Sequence, residues 1–331
     1  MHRLTVPLTL AALCAFGPTP AWPAPPQEHF GMCDASAAVA VGTDLFVVAN
    51  DEDNVLRLYA SGKPGAAVAS KDIGGLLDLA EEGEADIEGA ARLEGADTVY
   101  WITSHGRNKN GKPRPNRLRL VALDIRATGG TLTVERVGTP VKSLLDDLRA
   151  DDQYKKFDLG KAVAPEAEGG TNIEGLASWR GDQLLIGFRN PIPDKKALLA
   201  PLINPAEVVQ GKRARFGAPI RLDLDGRGVR SIEYVPREGA YLMVAGPFDD
   251  KGSFSLYRWC GDPRHAPERI EEVDLAPLHP EALFALPDSR EILLLSDDGD
   301  EPVEGKSCKD LKDHPELQKF RSLRISLPAP Q

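Results

Sequence analysis

Four glutamates begin short apolar segments in this sequence, and their recurrence indicates a shared site. Glu88 and Glu174 stand in matching Ile-Glu-Gly motifs, and Glu233 and Glu281 precede two further apolar segments. Carboxylates held close together repel one another and need a counter-charge, which Ca²⁺ supplies by taking six to eight oxygen ligands. An acidic segment that begins at Asp297 adds oxygens of the same kind. We therefore expect a metal site, with Ca²⁺ as its cation, formed by Glu88, Glu174, Glu233, Glu281, Asp297 and Asp298.

Other roles for these glutamates remain open at this stage. Arginines could supply the counter-charge instead, and the candidates on the same face are Arg107, Arg189 and Arg230. Each glutamate could also cap strand-end amides and hold neighbouring units together, or it could act directly in catalysis. The segment Asp51-Glu52-Asp53 offers further oxygen ligands, but the acidic segments lack the spacing of an EF-hand loop.

A basic loop from Ser104 to Arg117 contrasts with the acidic chain around it. Fixed arginines beside a ring of carboxylates suit an anionic substrate, such as a phosphate ester or a sugar acid. A histidine at a strand end can transfer protons as a general acid or base. The candidate catalytic residues are therefore His105, Arg107 and Arg189. The alternative is a solvated loop that forms salt bridges with the acidic rim. Aromatic residues are not interleaved with its charges, which disfavours nucleic-acid binding.

The candidate residues belong to an internal repeat, and the strands of this repeat must bring them together. Five segments share a polar residue, an apolar strand, a turn, a second apolar strand and a polar stop, and the first copy has Ser36 where the others have Glu. Most are followed by two more strand-like segments. Four antiparallel strands in each of five repeats predict an all-β protein with a five-bladed β-propeller. Six blades is the alternative if residues 141–163 hide a blade, although leucines at helical spacing favour a small helical insertion there.

The repeat also predicts how the ring closes. The last unit shows only three strands, and residues just before Cys33 could supply its fourth. The acidic motifs then lie on one face around a central channel. Cys33 and Cys308 fall on that face in neighbouring blades, so we expect them to form a disulfide and Cys260 to be free.

The N-terminal residues have the features of an export signal. Arg3 is followed by an apolar stretch from Leu4 to Phe16 and then by small residues and prolines, as in a signal peptide over residues 1–24. A lipoprotein with Cys14 as the modified residue is the alternative. A single propeller domain would then occupy residues 25–331, secreted or periplasmic, with no membrane span. The formal net charge of −10 disfavours binding to a phosphate backbone.

Several motifs resemble those of a known family. They are Cys33-Asp-Ala-Ser-Ala-Ala, Tyr100-Trp-Ile-Thr-Ser-His-Gly-Arg-Asn-Lys, Asn172-Ile-Glu-Gly-Leu-Ala and Ile186-Gly-Phe-Arg-Asn-Pro. In these motifs the chain resembles a bacterial family of secreted proteins with a domain of unknown function. The Glu-Gly repeat is more distantly similar to phytase-like and esterase-like propellers, whose acidic face binds calcium and phosphate esters.

Two functions follow as hypotheses. The first is a divalent-cation-dependent hydrolase that acts on a small anionic ester. The second is a non-enzymatic propeller of the cell envelope that uses the same face to bind a ligand or a protein.

Overall fold

The computed structural model describes residues 25–80, 82–249 and 251–327, and strands account for most of its regular structure. The signal peptide expected over residues 1–24 lies outside the described residues.

Antiparallel sheets of four strands follow one another along the chain after a first strand, β1 (Gln27–Phe30). The first blade contains β2 (Ala35–Val41), β3 (Leu45–Asn50), β4 (Val55–Ala60) and, after the two-residue β5 (Gly65–Ala66), β6 (Ala69–Asp72). The second contains β7 (Ile87–Arg92), β8 (Thr98–Thr103), β9 (Leu120–Thr128) and β10 (Thr131–Val141). The third contains β11 (Asn172–Trp179), β12 (Gln183–Asn190), β13 (Ala197–Leu202) and β14 (Ile220–Leu222).

The last two blades follow the same order. The fourth contains β15 (Gly228–Val235), β16 (Ala240–Gly246), β17 (Ser255–Trp259) and β18 (Glu268–Arg269). The fifth begins with β19 (Pro280–Ala285) and β20 (Glu291–Ser296), continues through a short hairpin of β21 (Pro302–Val303) and β22 (Lys306–Ser307), and returns as β23 (Lys319–Ser326).

The ring closes through the N-terminal strand. β1 pairs antiparallel with β23 and so supplies the fourth strand of the fifth blade, and β5 of the first blade adds to β1 in parallel. The inner strands contact one another in the cyclic order β2, β7, β11, β15, β19 and back to β2. These pairings confirm the predicted five-bladed propeller. β1 covers the outer side of β23 and β5 covers β1, which protects these strands from edge-to-edge association.

Helices are short and lie in the connections between strands. The residues after β10 form α1 (Leu144–Ala150), which buries Leu144 and Leu148 as their helical spacing predicts. The second helix is the single turn α2 (Pro205–Val208), and the 3₁₀ turns are Gly74–Leu76, Pro115–Arg117, Lys155–Phe157, Pro193–Lys195 and Cys308–Asp310. Within the described residues, no helix has the length and apolar character needed to cross a bilayer.

The hydrophobic core lies between neighbouring blades rather than at one centre. Five buried clusters each join the facing sides of two adjacent sheets. Apolar residues on both faces of each sheet are therefore buried, because every blade has a neighbour on each side. This explains why strands such as β16 (Ala240–Gly246) are buried throughout their length.

A disulfide connects the first and last blades. Cys33 precedes β2, and Cys308 follows β22 in the long loop before β23. Their pairing is the one expected from the sequence, and Cys260 is free and exposed. The backbone NH of Asp298 donates to the carbonyl of Cys33 beside this bond, at 3.0 Å.

Replacing Cys308 by Ser should lower the free energy of unfolding by about 3–5 kcal/mol, since a crosslink that closes so long a loop restricts the unfolded chain strongly. The bond spans 275 residues. Guanidinium denaturation under non-reducing conditions measures the change, with Cys260→Ser as the matched control that leaves the midpoint in place. Equal midpoints for the two variants would contradict the stabilising role of the bond.

Candidate functional site

Each of the five inner strands carries a β-bulge at the same level of the central channel. The strand pairing passes over one residue in every blade, and these residues are Ser36, Glu88, Glu174, Arg230 and Glu281. A bulge turns a side chain out of the regular alternation and often occurs beside a functional site. The end of the channel at which these five residues lie is called the acidic mouth below.

The residue after each bulge must be small because neighbouring blades approach closely there. A Cβ atom on Gly89 would lie 3.1 Å from the Cβ of Leu176, and one on Gly175 would lie 2.8 Å from a methyl group of Val229. The other blades also have small residues at this position, namely Ala37, Ser231 and Ala282. Packing between blades therefore explains the glycine of the Glu-Gly repeat.

Arg230 connects the third, fourth and fifth blades at the acidic mouth. Its Nε lies 2.9 Å from Oε2 of Glu174, and its Nη2 contacts Oε1 of Glu281. Nη1 of Arg189 lies 2.9 Å from Oε1 of Glu174, which also accepts from the amide of Asn172 at 3.0 Å. These side chains are buried. Arginines therefore supply the counter-charge to Glu174 and Glu281, as in the alternative considered from the sequence.

The fourth blade differs from the pattern predicted from the sequence repeat. Arg230, not Glu233, occupies the bulge of β15, because the bulge lies between Val229 and Ser231. Glu233 pairs with Leu242 near the turn between β15 and β16, and it lines a cavity at the other mouth of the channel. The expectation that it joins the other glutamates at one mouth was therefore wrong.

Three carboxylates meet on the other side of the acidic mouth. Asp51 follows β3, Asp86 precedes β7, and Glu88 is the bulged residue of β7. One oxygen from each lies within 4.8 Å of the others. Asp86 and Glu88 are buried, and Oδ1 of Asp51 is a buried oxygen with no hydrogen-bond partner. These three residues are called the acidic cluster below.

Asp34 and Asp297 lie beside the acidic cluster where the ring closes. They form an isolated antiparallel bridge between the first and fifth blades, and their side chains share a hydrogen bond. Burial first and the charge of Asp297 second raise the pKa of Asp34 to about 8. Burial likewise raises the pKa of Asp297. Two buried carboxyl groups this close share a proton more readily than they both ionise.

The carboxyl groups of the acidic cluster are also shifted towards their neutral forms. Burial raises the pKa of Asp86 to about 6, even though Nη1 of Arg117 lies 3.0 Å from its Oδ2. Burial and the neighbouring carboxylates raise the pKa of Asp51 and of Glu88 well above the usual range. The charge of Arg230 acts in the opposite direction on Glu88, but burial and the neighbouring carboxylates outweigh it.

The acidic mouth is therefore divided into two halves of different charge. The third to fifth blades carry carboxylates that are paired with arginines, whereas the fifth, first and second blades carry buried carboxylates with little compensation. A buried charge without a partner is costly, and the group either takes up a proton or binds a cation. The second half has the oxygen ligands and the excess negative charge that a hard cation requires.

Asp298 has a different environment from Asp297. Its carboxylate forms a two-point salt bridge with Arg321, with distances of 2.6 Å and 2.8 Å, and accepts a hydrogen bond from Ser296 at 2.7 Å. It also groups with His279 and Glu301, but Arg321 lies 3.2 Å from Glu301 as well. This second group is therefore largely neutralised.

The three predicted catalytic residues do not converge. His105 is buried, and its Nδ1 donates to the carbonyl of Thr103 at 2.8 Å. Burial lowers its pKa to about 4, so the ring is neutral at physiological pH. Arg107 donates to the carbonyls of Gly111 and Gly160 within and beside the basic loop, whereas Arg189 belongs to the acidic mouth.

Asp34 and Asp86 were not among the metal ligands predicted from the sequence. Each stands two residues before a bulged residue, in Asp-Ala-Ser36 and Asp-Ile-Glu88. Asp51 and Asp297 share a second pattern, since each directly follows the second strand of its blade. Acidic residues at these two repeated positions were the signal that could have identified the cluster.

Comparisons with known proteins give a family. A family model described as "Protein of unknown function (DUF3616)" matches residues 124–293. Glutaminyl cyclase from Myxococcus xanthus is similar in structure at 13% identity and a TM-score of 0.45, with 94% of this chain and 100% of that chain covered. The Cps50 (Swd1) β-propeller domain from Myceliophteria thermophila is similar at 7% identity and a TM-score of 0.39, with 89% and 97% covered. No curated protein matches the sequence.

In buffer that contains EDTA, the melting temperature should fall as the pH rises from about 6.5 to about 8.5. Burial raises the pKa of Asp34 to about 8 and that of Asp86 to about 6. The folded state thus holds protons that the unfolded chain, with carboxyl pKa values near 4, has already released, and deprotonation weakens the fold. The buried histidines act in the opposite direction only below about pH 6.5, because their pKa values are lowered.

Scanning calorimetry across this pH range is the measurement. Asp34→Asn should give a shallower decline than the wild type, and Asp44→Asn, at an exposed position, should decline as the wild type does. A melting temperature that rises with pH in this range would show that these groups are ionised in the metal-free fold.

Proposed function

The chain belongs to the DUF3616 family of proteins of unknown function, and we propose that it binds a divalent cation, Ca²⁺, through the acidic cluster of Asp51, Asp86 and Glu88. The charges of Asp34 and Asp297 act on Asp51, and we propose that these two residues hold a water molecule beside the cation. The observation that carries the proposal is the close approach of three carboxylates, within 4.8 Å, with an unpartnered buried oxygen on Asp51.

The balance of charge supports a cation at this position. Arg189 and Arg230 are engaged with Glu174 and Glu281, and Arg117 contacts only Asp86 within the acidic cluster. A divalent cation would lower the pKa of each ligand and remove the repulsion that now favours the protonated forms. The same groups without a cation would bind protons instead.

The type of ligand supports calcium over a transition metal. The cluster offers carboxylate oxygens, and no imidazole or thiol belongs to it among the described residues. Oxygen-only sites suit Ca²⁺ or Mg²⁺, whereas zinc and copper sites draw on histidine and cysteine. The ligands come from two blades and a loop end, so the distances between them can adjust, which favours the larger and less demanding Ca²⁺.

We further propose that the bound cation recruits a small anionic ligand to the acidic mouth. The carboxylates alone would repel an anion, so the cation is what makes such binding favourable. Arg117 lies at the edge of the cluster, about one fifth exposed, and can contact an anionic group there. Hydrolysis of an anionic ester, with the cation polarising the ester and lowering the pKa of a bound water, is the catalytic form of this proposal. Binding without turnover is its non-enzymatic form.

The position of His105 bears on the catalytic form. Because the ring is buried, neutral and bonded through Nδ1 to a carbonyl, it is poorly suited to exchange protons with a substrate at the acidic mouth. Asp34 and Asp297, whose charges act on Asp51, are the alternative groups for proton transfer beside the cluster.

Calcium should raise the melting temperature of the wild type at pH 7.5, and Asp51→Asn should abolish most of this rise. The substitution removes one ligand charge and leaves the shape of the side chain unchanged. Thermal unfolding in EDTA and in a calcium series measures the effect, with calorimetric titration for stoichiometry. Asp300→Asn is the matched control, because Asp300 is exposed on the same loop as Asp297 and lies outside the cluster. Equal calcium responses in the wild type and Asp51→Asn would reject the site.

A panel of p-nitrophenyl esters distinguishes the two forms of the proposal. If the protein is a hydrolase, p-nitrophenyl phosphate or an anionic carboxylic ester should be turned over with calcium, and the rate should fall at least tenfold in EDTA or in Asp51→Asn. Stabilisation by calcium without turnover of any ester would leave the binding form and reject the catalytic one.

A further inference from the structure

The mouth of the channel opposite the acidic mouth opens into a cavity of about 700 Å³. Its wall is formed by the turns between the first and second strands of all five blades, within residues 39–42, 92–95, 178–181, 233–241 and 285–289. Pockets for small ligands commonly have volumes of about 300–1,000 Å³. We call this space the turn-side cavity.

Arg92 and Arg180 line the turn-side cavity, and Arg92 lies near enough to Asp97 and Glu233 to interact with their charges. The guanidinium of Arg92 is partly buried and makes only long contacts, of 3.3–3.4 Å, with the carbonyls of Ala40, Ala96 and Asp97. The guanidinium of Arg180 is exposed and lies 5.1 Å from the ring centre of Trp179. Both therefore keep donors for an anionic group.

The backbone of Arg180 follows the tight turn between β11 and β12. Its φ is +47°, in the left-handed region that hairpin turns require. The matching turns of the other blades have left-handed residues as well, at Gly42, Gly95, Gly239 and Asp288. The conformation presents a guanidinium stacked on an indole at the rim of the turn-side cavity.

Aromatic and aliphatic side chains form the rest of the wall. Tyr234 is partly exposed in the cavity and packs on Tyr241, with ring centres 5.1 Å apart, and Tyr241 in turn packs on Trp179. Val39 and Ala285 add apolar surface. The tyrosine and the apolar side chains offer a flat surface on which an aromatic ring can pack, close to the charged groups of Arg92 and Arg180.

The acidic residues of the cavity do not oppose an anion strongly. Burial raises the pKa of Glu233 to about 8, so at neutral pH its carboxyl group is mostly protonated and can donate a hydrogen bond. Asp288 lies at the rim, 3.8 Å from Arg237. Glu94 is exposed. With Glu233 protonated, the arginines leave a net positive charge in the turn-side cavity.

We propose that the turn-side cavity is a second ligand site, which binds a small aromatic carboxylate with its ring against Tyr234 and its carboxylate at Arg180 and Arg92. The site is separate from the acidic mouth and does not depend on a bound cation.

Calorimetric titration with indole-3-carboxylate in EDTA tests the proposal directly. We expect saturable binding with a millimolar or lower dissociation constant, and at least fivefold weaker binding of neutral indole-3-methanol and of the non-aromatic anion glucuronate. No binding of indole-3-carboxylate would overturn the proposal. Equal binding of indole-3-methanol would overturn the role of the arginines, and equal binding of glucuronate would overturn the role of the ring.

Arg180→Asn separates ligand binding from folding. Asparagine tolerates the left-handed backbone, so the melting temperature should stay close to that of the wild type while indole-3-carboxylate binds about five- to tenfold more weakly. Arg264→Asn, at an exposed arginine outside the cavity, is the matched control. Asp51→Asn should bind indole-3-carboxylate as the wild type does, so that failure of the cation site and failure of this site are told apart. Unchanged affinity in Arg180→Asn would contradict the proposal.

Cys260 reports on occupancy of the same space. It is free and exposed and lines the turn-side cavity. Indole-3-carboxylate should slow alkylation of Cys260 by iodoacetamide, as measured by peptide mass spectrometry, and about five- to tenfold more ligand should be needed for the same slowing in Arg180→Asn. An alkylation rate that is unaffected by indole-3-carboxylate in the wild type would place the ligand elsewhere.

Discussion

The burial of charge at the bulges of the inner strands is the constraint on which the rest of the structure depends. A propeller of five blades brings five inner strands to one narrow channel, and here each strand turns a polar side chain towards it. Charges removed from water must be paired, protonated or bound to an ion. On one side Arg230 meets this demand by contacting Glu174 and Glu281 across blades. On the other side Arg117 contacts Asp86, but the pKa of Asp51 and of Glu88 stays raised by burial and by the neighbouring carboxylates, and this difference gives the face its proposed chemistry.

Buried carboxyl groups also lie where the ring closes. Asp34 and Asp297 bridge the first and last blades at the point where the Cys33–Cys308 disulfide also joins them. Without a cation, repulsion between ionised carboxylates would act against this junction, and the disulfide and the aromatic cluster around Phe46 hold it together. A cation at the acidic cluster would connect the first and second blades beside this junction. Ligand binding and ring stability are therefore coupled at one place.

The sequence allowed the fold to be predicted in detail because the repeat marks strands and turns alike. The number of blades, the closing strand and the disulfide all follow from the phase of the hairpins. In the fourth repeat the predicted position of the bulged residue was wrong by three residues. Ser-Ile-Glu233 resembles the Ile-Glu motif of the other repeats, but Arg230 occupies the bulge. A bulge adds a residue without any change in composition, so its position cannot be read from hydrophobic alternation. Asp34 and Asp86 were missed for a related reason, since their convergence depends on which blades are neighbours at the closure and on the left-handed backbone of Asp86.

The proposed function depends on a cation that occupies the acidic cluster. The most direct measurement is a crystal structure of the protein grown with calcium, with anomalous diffraction recorded at long wavelength. We expect an anomalous peak next to oxygens of Asp51, Asp86 and Glu88, with distances of about 2.3–2.6 Å between the peak and each oxygen. A peak at the group of His279, Asp298 and Glu301 instead, or no peak at the acidic mouth with the carboxylates in their present positions, would contradict it.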